Sequence, residues 1–457
     1  MTTADGSGPS TDLGEVAARI LAMVERRAEA TVVVSRVADG LTRFANSFIH
    51  QNVVDEHISA TVELVSEGRP AAASTRTVDD ASLRHMVDAA LAAASVRPVD
   101  PGWAGLCPPA SAAARDAHYD PATAGAGPDE RAGVVSAFVE AGGGLEAAGF
   151  CQTTAVESVL VNSLGHRLED RHTRAAIDGI HRHAGSDGCG SRTSFRFSDL
   201  DGEAAGKQAA GRARAGAQPV ELAAGRYEVV LDPRCVAYVM DFLAIYGFNG
   251  RAVEEGRSFA SLGEDQFDPS ISIWDDALDP RHVGGGFDAE GTPKRRTDLV
   301  KAGTTVGLAH DRRTAARWPG GAESSGHAIP GGATTGAVPV NLFLGSAGPD
   351  SDPEALVAGV KRGLLVHDFW YTRVLDPRTL VVTGLTRNGV FLIEDGQVGP
   401  AVSNLRFTQS PVAALAPGHV LGVGDDGALG PGGLHLGENH APSLRLAQWS
   451  FTGNASG

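Results

Sequence analysis

Two sets of strand-like runs, split by one Ala- and Gly-rich stretch at 203–216, frame the architecture open to this chain. The first set reads ATVVVSRV (30–37), LTRFANSFIHQNV (41–53), HISATVELV (57–65) and PAAASTR (70–76), then 148–166 and 170–184. β-Branched residues fill much of it, and Asp39-Gly40 and Glu67-Gly68 supply turn chemistry between runs. The second set opens at RYEVVLDP (226–233) and continues at 271–274, 297–300, 303–309, 338–344, 363–370, 379–385, 389–395 and 400–408. Helical periodicity is confined to a few segments. Asp12 and Glu15 form a capping pattern for a helix carrying Leu13, Val16, Ala17, Ile20, Leu21 and Val24 on one face. Asp79 or Asp80 starts a helix to about 95, and others follow at 128–142 and 203–216. Asp232 and Pro233 suit the cap and first turn of a helix over 236–248. Pro and Gly punctuate 97–127, which reads as a long ordered loop, and a second Gly-rich loop spans 320–336.

These patterns predict an α+β protein of two domains. Residues 1–217 form an N-terminal α+β domain. Residues 218–457 form a C-terminal domain that is mainly β, sheet- or barrel-like, with few helices. A length of 457 residues suits two or three domains, and 58 glycines suit turn-rich sheets better than bundles.

Charge and cysteine usage narrow the function classes. The net charge is -16, and basic residues cluster only in short groups such as Arg26-Arg27 and Lys294-Arg295-Arg296. A nucleic-acid binder is expected to carry a basic stripe, so no nucleic-acid partner is expected. Cys107, Cys151, Cys189 and Cys235 show no CxxC spacing and no disulfide framework. The opening MTTADGSGPSTDLGEV lacks a charged region followed by an apolar one, and no run of 18 apolar residues occurs. The expectation is a cytoplasmic protein with no membrane partner.

Candidate chemistry is sparse. No GxSxG, HExxH, Walker A loop or helix-opening GxGxxG is present. His181 and His183 share one face of a strand, with Cys189 six residues on, and could hold a metal. No third ligand stands at matching spacing, so they read as a polar strand face, as do His166 and His172. Asp275-Asp276 resembles a carboxylate pair but precedes Pro280, where Asp commonly caps a turn. Gly284-Gly285-Gly286 is followed by Phe287 and reads as a turn. FDAEGTP (287–293) gathers Phe287, Asp288, Glu290 and Gly291. It is either a turn built around a positive-φ glycine or a loop facing a peptide or a partner chain.

Several segments, in collinear order, resemble the TldD/PmbA family. They are TRFANSFIHQN (42–52), VNSLGHRLEDRHT (161–173), ELAAGRYEVVLDP (221–233), EEGRSFASLGE (254–264), the run 284–311, GLTRNGVFLIEDGQV (384–398) and SLRLAQWSFTG (443–453). The resemblance implies one of two subunit kinds. TldD-like chains carry an HExxxH helix and a later Cys that bind zinc, with the Glu as general base; TldE/PmbA-like chains lack them and pair with a TldD-like chain. Here Asp241, Phe242 and Tyr246 take the His, Glu and His places, and 384–396, where the late Cys is expected, contains none. Phe can neither ligate nor accept a proton, and a Tyr hydroxyl with a pKa near 10 is a poor ligand.

This chain is therefore similar to the TldE/PmbA kind. The resemblance implies no catalytic residue and no metal of its own. It further implies zinc in a TldD-like partner, a cytoplasmic heterodimer, and an unfolded peptide as substrate for maturation or degradation. Two other readings are a stand-alone peptide-binding module without hydrolase activity, which would add extended peptides to a sheet edge, and an independent hydrolase using His181 and His183.

Overall fold

A computed structural model describes residues 11–113, 115–332 and 334–454. The reading of the first ten residues as leaderless lies outside them. The chain begins with α1 (Leu13–Val24), β1 (Glu29–Ala45), β2 (Phe48–Ser66), β3 (Arg69–Thr75) and α2 (Asp80–Val96). After the long loop come α3 (Pro121–Gly125), α4 (Pro128–Ala141), β4 (Glu146–Asn162), β5 (Arg167–His183), β6 (Ser186–Ser194) and α5 (Gly202–Ala215). The six strands form one antiparallel sheet in the order β3-β2-β1-β4-β5-β6.

Asp12 caps α1 by accepting from the Gly14 and Glu15 amides, and Asp79 caps α2 by accepting from Ala81 and Ser82. The apolar stripes of these two helices, including Val16, Ile20, Leu83 and Val87, bury against Val32, Val34, Val62 and Leu64 of the sheet. Phe138 of α4 and Ala205 and Ala209 of α5 close a second cluster over Cys151, Ala175 and Ile177.

The expected turn at Asp39-Gly40 is not one. β1 runs straight through it, and the hairpin reverses at Asn46-Ser47, where φ is 51° and 64°. Asp39 instead accepts from Gln152 Nε2 at 2.8 Å and Thr154 Oγ1 at 2.9 Å on the neighbouring strand. Gly40 leaves room for the buried Arg131 guanidinium, which a Cβ there would overlap. The expected strand 148–166 ends at Asn162 in a turn through Gly165. Strand β6 was not expected, because SDGCGSRTS has little β propensity. Its Gly188 and Gly190 lie flush under α5, where any Cβ would meet the helix backbone at Ala209, Ala213 or Ala205.

The second part holds β7 (Gly225–Leu231), α6 (Pro233–Tyr246), α7 (Gly250–Glu254), β8 (Ile271–Asp275), β9 (Thr297–Lys301), β10 (Thr304–Thr305) and α8 (Arg312–Arg317). It continues with β11 (Leu342–Ser346), α9 (Pro353–Ala358), β12 (Arg362–Asp376), β13 (Val381–Glu394), β14 (Gln397–Ala401) and β15 (Leu405–Gln409). It ends with α10 (Pro411–Ala414), β16 (Val420–Val423), β17 (Ala428–Pro431), β18 (Glu438–Ala441) and β19 (Leu444–Asn454). Strands β12-β7-β19-β15-β13 pair in that order and β13 pairs back onto β12, which closes a barrel. A separate sheet runs β10-β9-β8-β11-β18-β17. Helix α6 is buried along 235–244 and shares one core with Phe369, Phe407 and Trp449 of the barrel and Ile273 and Leu344 of the other sheet. The α+β class and the barrel-like second half therefore stand.

Several details differ from expectation. The runs 379–385 and 389–395 belong to one strand, β13; Asn388-Gly389 has positive φ but forms an irregularity in the ladder rather than a turn. The run 303–309 keeps only β10, and 400–408 splits into β14 and β15. Strands β16 to β19 were missed. Asp232 sits at the start of α6, but its side chain makes no cap bond; it faces Arg212 and accepts from His367 Nδ1 at 2.7 Å. Among the described residues no helix is long and apolar enough to cross a membrane.

Candidate functional site

Helix α6 carries the three positions that the resemblance singled out. Phe242 is 0% exposed and sits in the large core, 6.3 Å from the Tyr238 ring. Tyr246 packs against the same core. Asp241 is buried, and its carboxylate accepts from the Leu434 amide at 3.0 Å and from Asn439 Nδ2 at 2.9 Å, with the Leu436 amide at 3.4 Å. Burial pushes the Asp241 carboxyl up, and these donors oppose the shift. The segment 432–439 that supplies them lies directly on the helix. A Cβ on Gly432 would overlap the Asp241 carboxylate, and one on Gly433 would stand 2.7 Å from the Phe242 ring. Strands β17 and β18, which flank this segment, pack on α6; no such packing places β13 there. The segment facing Asp241 is thus 432–439 rather than 384–396, and it also contains no cysteine.

The donor set does not fit a hydrolytic zinc. Such a site needs about three ligands, an open position for water and a base. Asp241 has its oxygens taken, Phe242 offers no donor, and the 432–439 backbone covers both. Among the described residues no group of three or more His, Cys, Asp and Glu is arranged to hold a metal ion.

Beside this helix a cavity of about 880 Å³ opens between the two halves. Phe150, Arg174 and Asp178 of the first sheet form one side; 282–289, Lys294, 327–330, Asn341 and 435–438 form the other. A buried polar cluster lies at its C-terminal wall. Asp275 Oδ2 accepts from the Asn341 amide at 2.7 Å. Its Oδ1 lies 2.9 Å from His327 Nε2, an ion-pair distance without the alignment of a straight hydrogen bond. Burial alone would raise the Asp275 carboxyl, but His327 and Lys294 override it and hold it well below the carboxylate range. His282 is buried, with Nε2 2.9 Å from the Glu438 carbonyl and Nδ1 accepting from Val283; burial pushes it down to about 4 and keeps it neutral.

The structure separates the other sequence candidates. His181 stacks on Phe138 at 5.0 Å and its Nε2 meets the Phe138 carbonyl at 3.0 Å, while His183 is exposed at the strand end. Cys189 is buried beneath α5. His166 accepts from the Ala110 amide through Nδ1, so its Nε2–H donates to the Gly291 carbonyl at 2.8 Å. His172 pairs with Asp170 at 2.9 Å. Asp276 does cap a turn, accepting from the Leu278 amide, whereas Asp275 belongs to the buried cluster. Gly284 and Gly286 are sites of close approach, the first to Asn341 and the second to Asp170 and Arg115.

Within FDAEGTP, Asp288 accepts from the Glu290, Thr292 and Ala328 amides at 2.8–3.0 Å and so organises the loop from inside. Burial raises its carboxyl. Gly291 has φ 83° and packs on Leu160 and His166. Glu290 accepts from the Arg312 amide at 2.9 Å, and burial lifts its carboxyl to about 7. Phe287 lines the cavity.

Residues 224–453 match the model of the PmbA/TldA metallopeptidase C-terminal domain. The chain belongs to the TldD/PmbA family. A metalloprotease of Synechocystis is 25% identical over 327 residues, a match that spans 66% of this chain and 65% of that relative. Thus the chain spans slightly less than two thirds of the cyanobacterial protein's length. TldE from Thermococcus kodakarensis shares the fold of this family member, with a TM-score of 0.83 at 17% identity over 96% of this chain and 99% of the other. A proposed modulator of a DNA gyrase from Thermotoga maritima gives 0.82 at 17% identity, over 96% and 100%. The family is metallopeptidase-related.

Sequence reasoning missed Lys294, His327 and Asn341. They come from three separated loops and share no spacing that would have joined them. It also missed the seam between the halves, where Arg234 of α6 reaches Asp178 of β5 at 2.9 Å and Asp368 of β12 at 3.0 Å.

Proposed function

We propose that this chain is a non-catalytic partner subunit of a TldD/TldE-type zinc metallopeptidase complex that acts on unfolded peptides in the cytoplasm. One observation carries the reading: α6 presents a saturated Asp241, a core Phe242 and a packed Tyr246 where His, Glu and His are expected. The hydrolytic zinc and its base belong to a TldD-like partner in this reading, and the zinc supplies the activated water. The present chain contributes fold, peptide-holding surface and contact area. Phe287, Asp288, Glu290 and Gly291 are assigned to that surface, with Phe287 facing the cleft and the other three shaping its loop. The two domains are taken as 1–217 and 218–457. The net charge of -16 supports a reading without nucleic acid, and no membrane partner is included.

The test co-expresses the chain with the zinc-bearing relative from its own genome. Mass measurement is expected to give a 1:1 complex with an interface above ~1,000 Å². The complex cleaves an unfolded peptide, a chelator abolishes cleavage, and the chain alone is inactive. Equal cleavage by the isolated chain would sink the reading. Absence of any complex would favour a stand-alone peptide-binding module.

A further inference from the structure

One face of the first sheet looks into the cavity between the halves. In β2, Val62 and Leu64 pack beneath α1 and α2, so Thr61 and Glu63 point the other way. β1 sets Val33 opposite Thr61 and Thr31 opposite Glu63, and all four line the cavity. Side chains opposed in this way start about 4.5–5.5 Å apart. Glu63 therefore has a hydroxyl across the strand pair and a second one two residues back on its own strand. Its neighbour on β3 is Ala72, whose side chain offers no donor. Glu63 is accessible, yet protein surrounds most of it, and that burial raises its carboxyl with no neighbouring charge to oppose the shift. Among the described residues, none makes a hydrogen bond or ion pair with the Glu63 carboxylate or with the hydroxyl of Thr31 or Thr61.

The other charges on these walls are matched. Arg174 donates to Glu438, Arg234 pairs with Asp178 and Asp368, and the Lys294 ammonium stands against Asp275 and Asp288. Glu63 is the carboxylate left without a cation. A half-buried carboxylate in that state is costly, and a cation brought by a ligand would relieve it. Much of the remaining wall is apolar, with Phe150 on the sheet side and Phe287, Ile329, Val338 and Val340 facing it. An apolar concavity with a few convergent polar groups is the usual form of a ligand site. One carboxylate and two hydroxyls match the three donors of a primary ammonium. A guanidinium spreads five donors in one plane, more than this floor accepts, and a divalent metal ion calls for more oxygen ligands than these three side chains provide.

We propose that this cavity takes a primary ammonium on an apolar stem, its N–H groups on Glu63, Thr31 and Thr61 and its stem along Phe150, Phe287 and Ile329. In a peptide that chemistry has two sources, the N-terminal amine beside an apolar side chain and the side chain of a lysine. The site deepens the partner-subunit reading, because it gives the first half of the chain a peptide-holding wall opposite the 287–291 loop. It rests on that reading only for the choice of a peptide as ligand.

The test is calorimetric titration of the purified full-length chain, alone and in its chelator-inhibited complex, at about 0.15 M salt to screen the net charge of -16. The probes are pentapeptide amides of Leu and Val. One has a free N-terminus, a second is acetylated and carries a single lysine, and a third is acetylated with norleucine in place of that lysine. At least one ammonium peptide is expected to bind about ten- to a hundredfold more tightly than the norleucine peptide, the range for a charged hydrogen bond. The tighter of the two identifies the source of the ammonium. Glu63→Gln keeps the shape of the side chain and is expected to abolish the preference, with a melt confirming the fold. The peptide comparison needs no variant and stands if that variant fails to fold. Equal binding of all the peptides, no saturation by either ammonium peptide in the free chain or the complex, or a preference that survives in folded Glu63→Gln overturns the proposal. Should the complex form and cleave while the peptides bind alike, this site fails and the partner reading stands. Should the complex not form while the preference holds, the partner reading fails and this site stands.

Discussion

Phe242 is the residue whose replacement best separates a packed helix from a damaged active site. It is fully buried, touches Tyr238 and lies beneath Gly433, within a core that joins α6 to the barrel and to the second sheet. Truncating such a ring costs about 3–5 kcal/mol through lost transfer energy and the cavity left behind. A structural unit of 150–250 residues shifts by about 2–4 °C per kcal/mol, so Phe242→Ala should melt roughly 6–20 °C below the wild type. Phe242→Glu should do at least as much damage at pH 8, because its carboxylate would be desolvated with no donor waiting, and should recover partly at pH 5 as the group takes up a proton. Scanning calorimetry at both pH values, supported by guanidinium denaturation, gives the answer. Melting of Phe242→Ala within about 2 °C of wild type, the shift of less than 1 kcal/mol, would refute the core assignment. So would a Phe242→Glu protein that is stable at pH 8. The combined change Asp241→His, Phe242→Glu, Tyr246→His is expected to give neither stoichiometric zinc nor peptide cleavage. The 432–439 backbone covers Asp241 and Phe242 and offers no thiolate.

Two further outcomes follow from packing and from charge. Gly190→Ala would drive a methyl into the Ala205 carbonyl and should destabilise by about 1–3 kcal/mol in urea, whereas Gly211→Ala, in open space on the same α5 helix, should stabilise by about 0.4–1 kcal/mol. Glu290 is raised by burial from 4.5 to about 7, so its neutral form is the one the fold prefers. Its contribution is therefore complete below about 4.5 and lost as pH rises through about 7. Glu290→Gln should accordingly melt above wild type at pH 8 and match it near pH 5; a constant difference across that range would count against the buried carboxyl.

The sequence by itself determined a good deal. Helix caps at Asp12 and Asp79, apolar periodicity in α1 and α2, and strand-rich runs in both halves gave the α+β class, because these signals act over a few residues. That Asp241, Phe242 and Tyr246 offer no general base and no set of zinc ligands was equally local, since ligand and base chemistry belong to the side chain itself. Turn chemistry was legible only where nothing distant competed. Glu67-Gly68 does turn, but Asp39-Gly40 is held straight by Gln152, Thr154 and Arg131. Tertiary structure alone decided that Gly-rich β6 is a strand, since its reason is the backbone of α5 lying on it. It alone closed β13 onto β12, and it alone laid 432–439 over Asp241 and brought Lys294, His327 and Asn341 to one cavity. Burial and the pairing of charges depend on atoms far apart in the chain, and spacing along the sequence does not encode them.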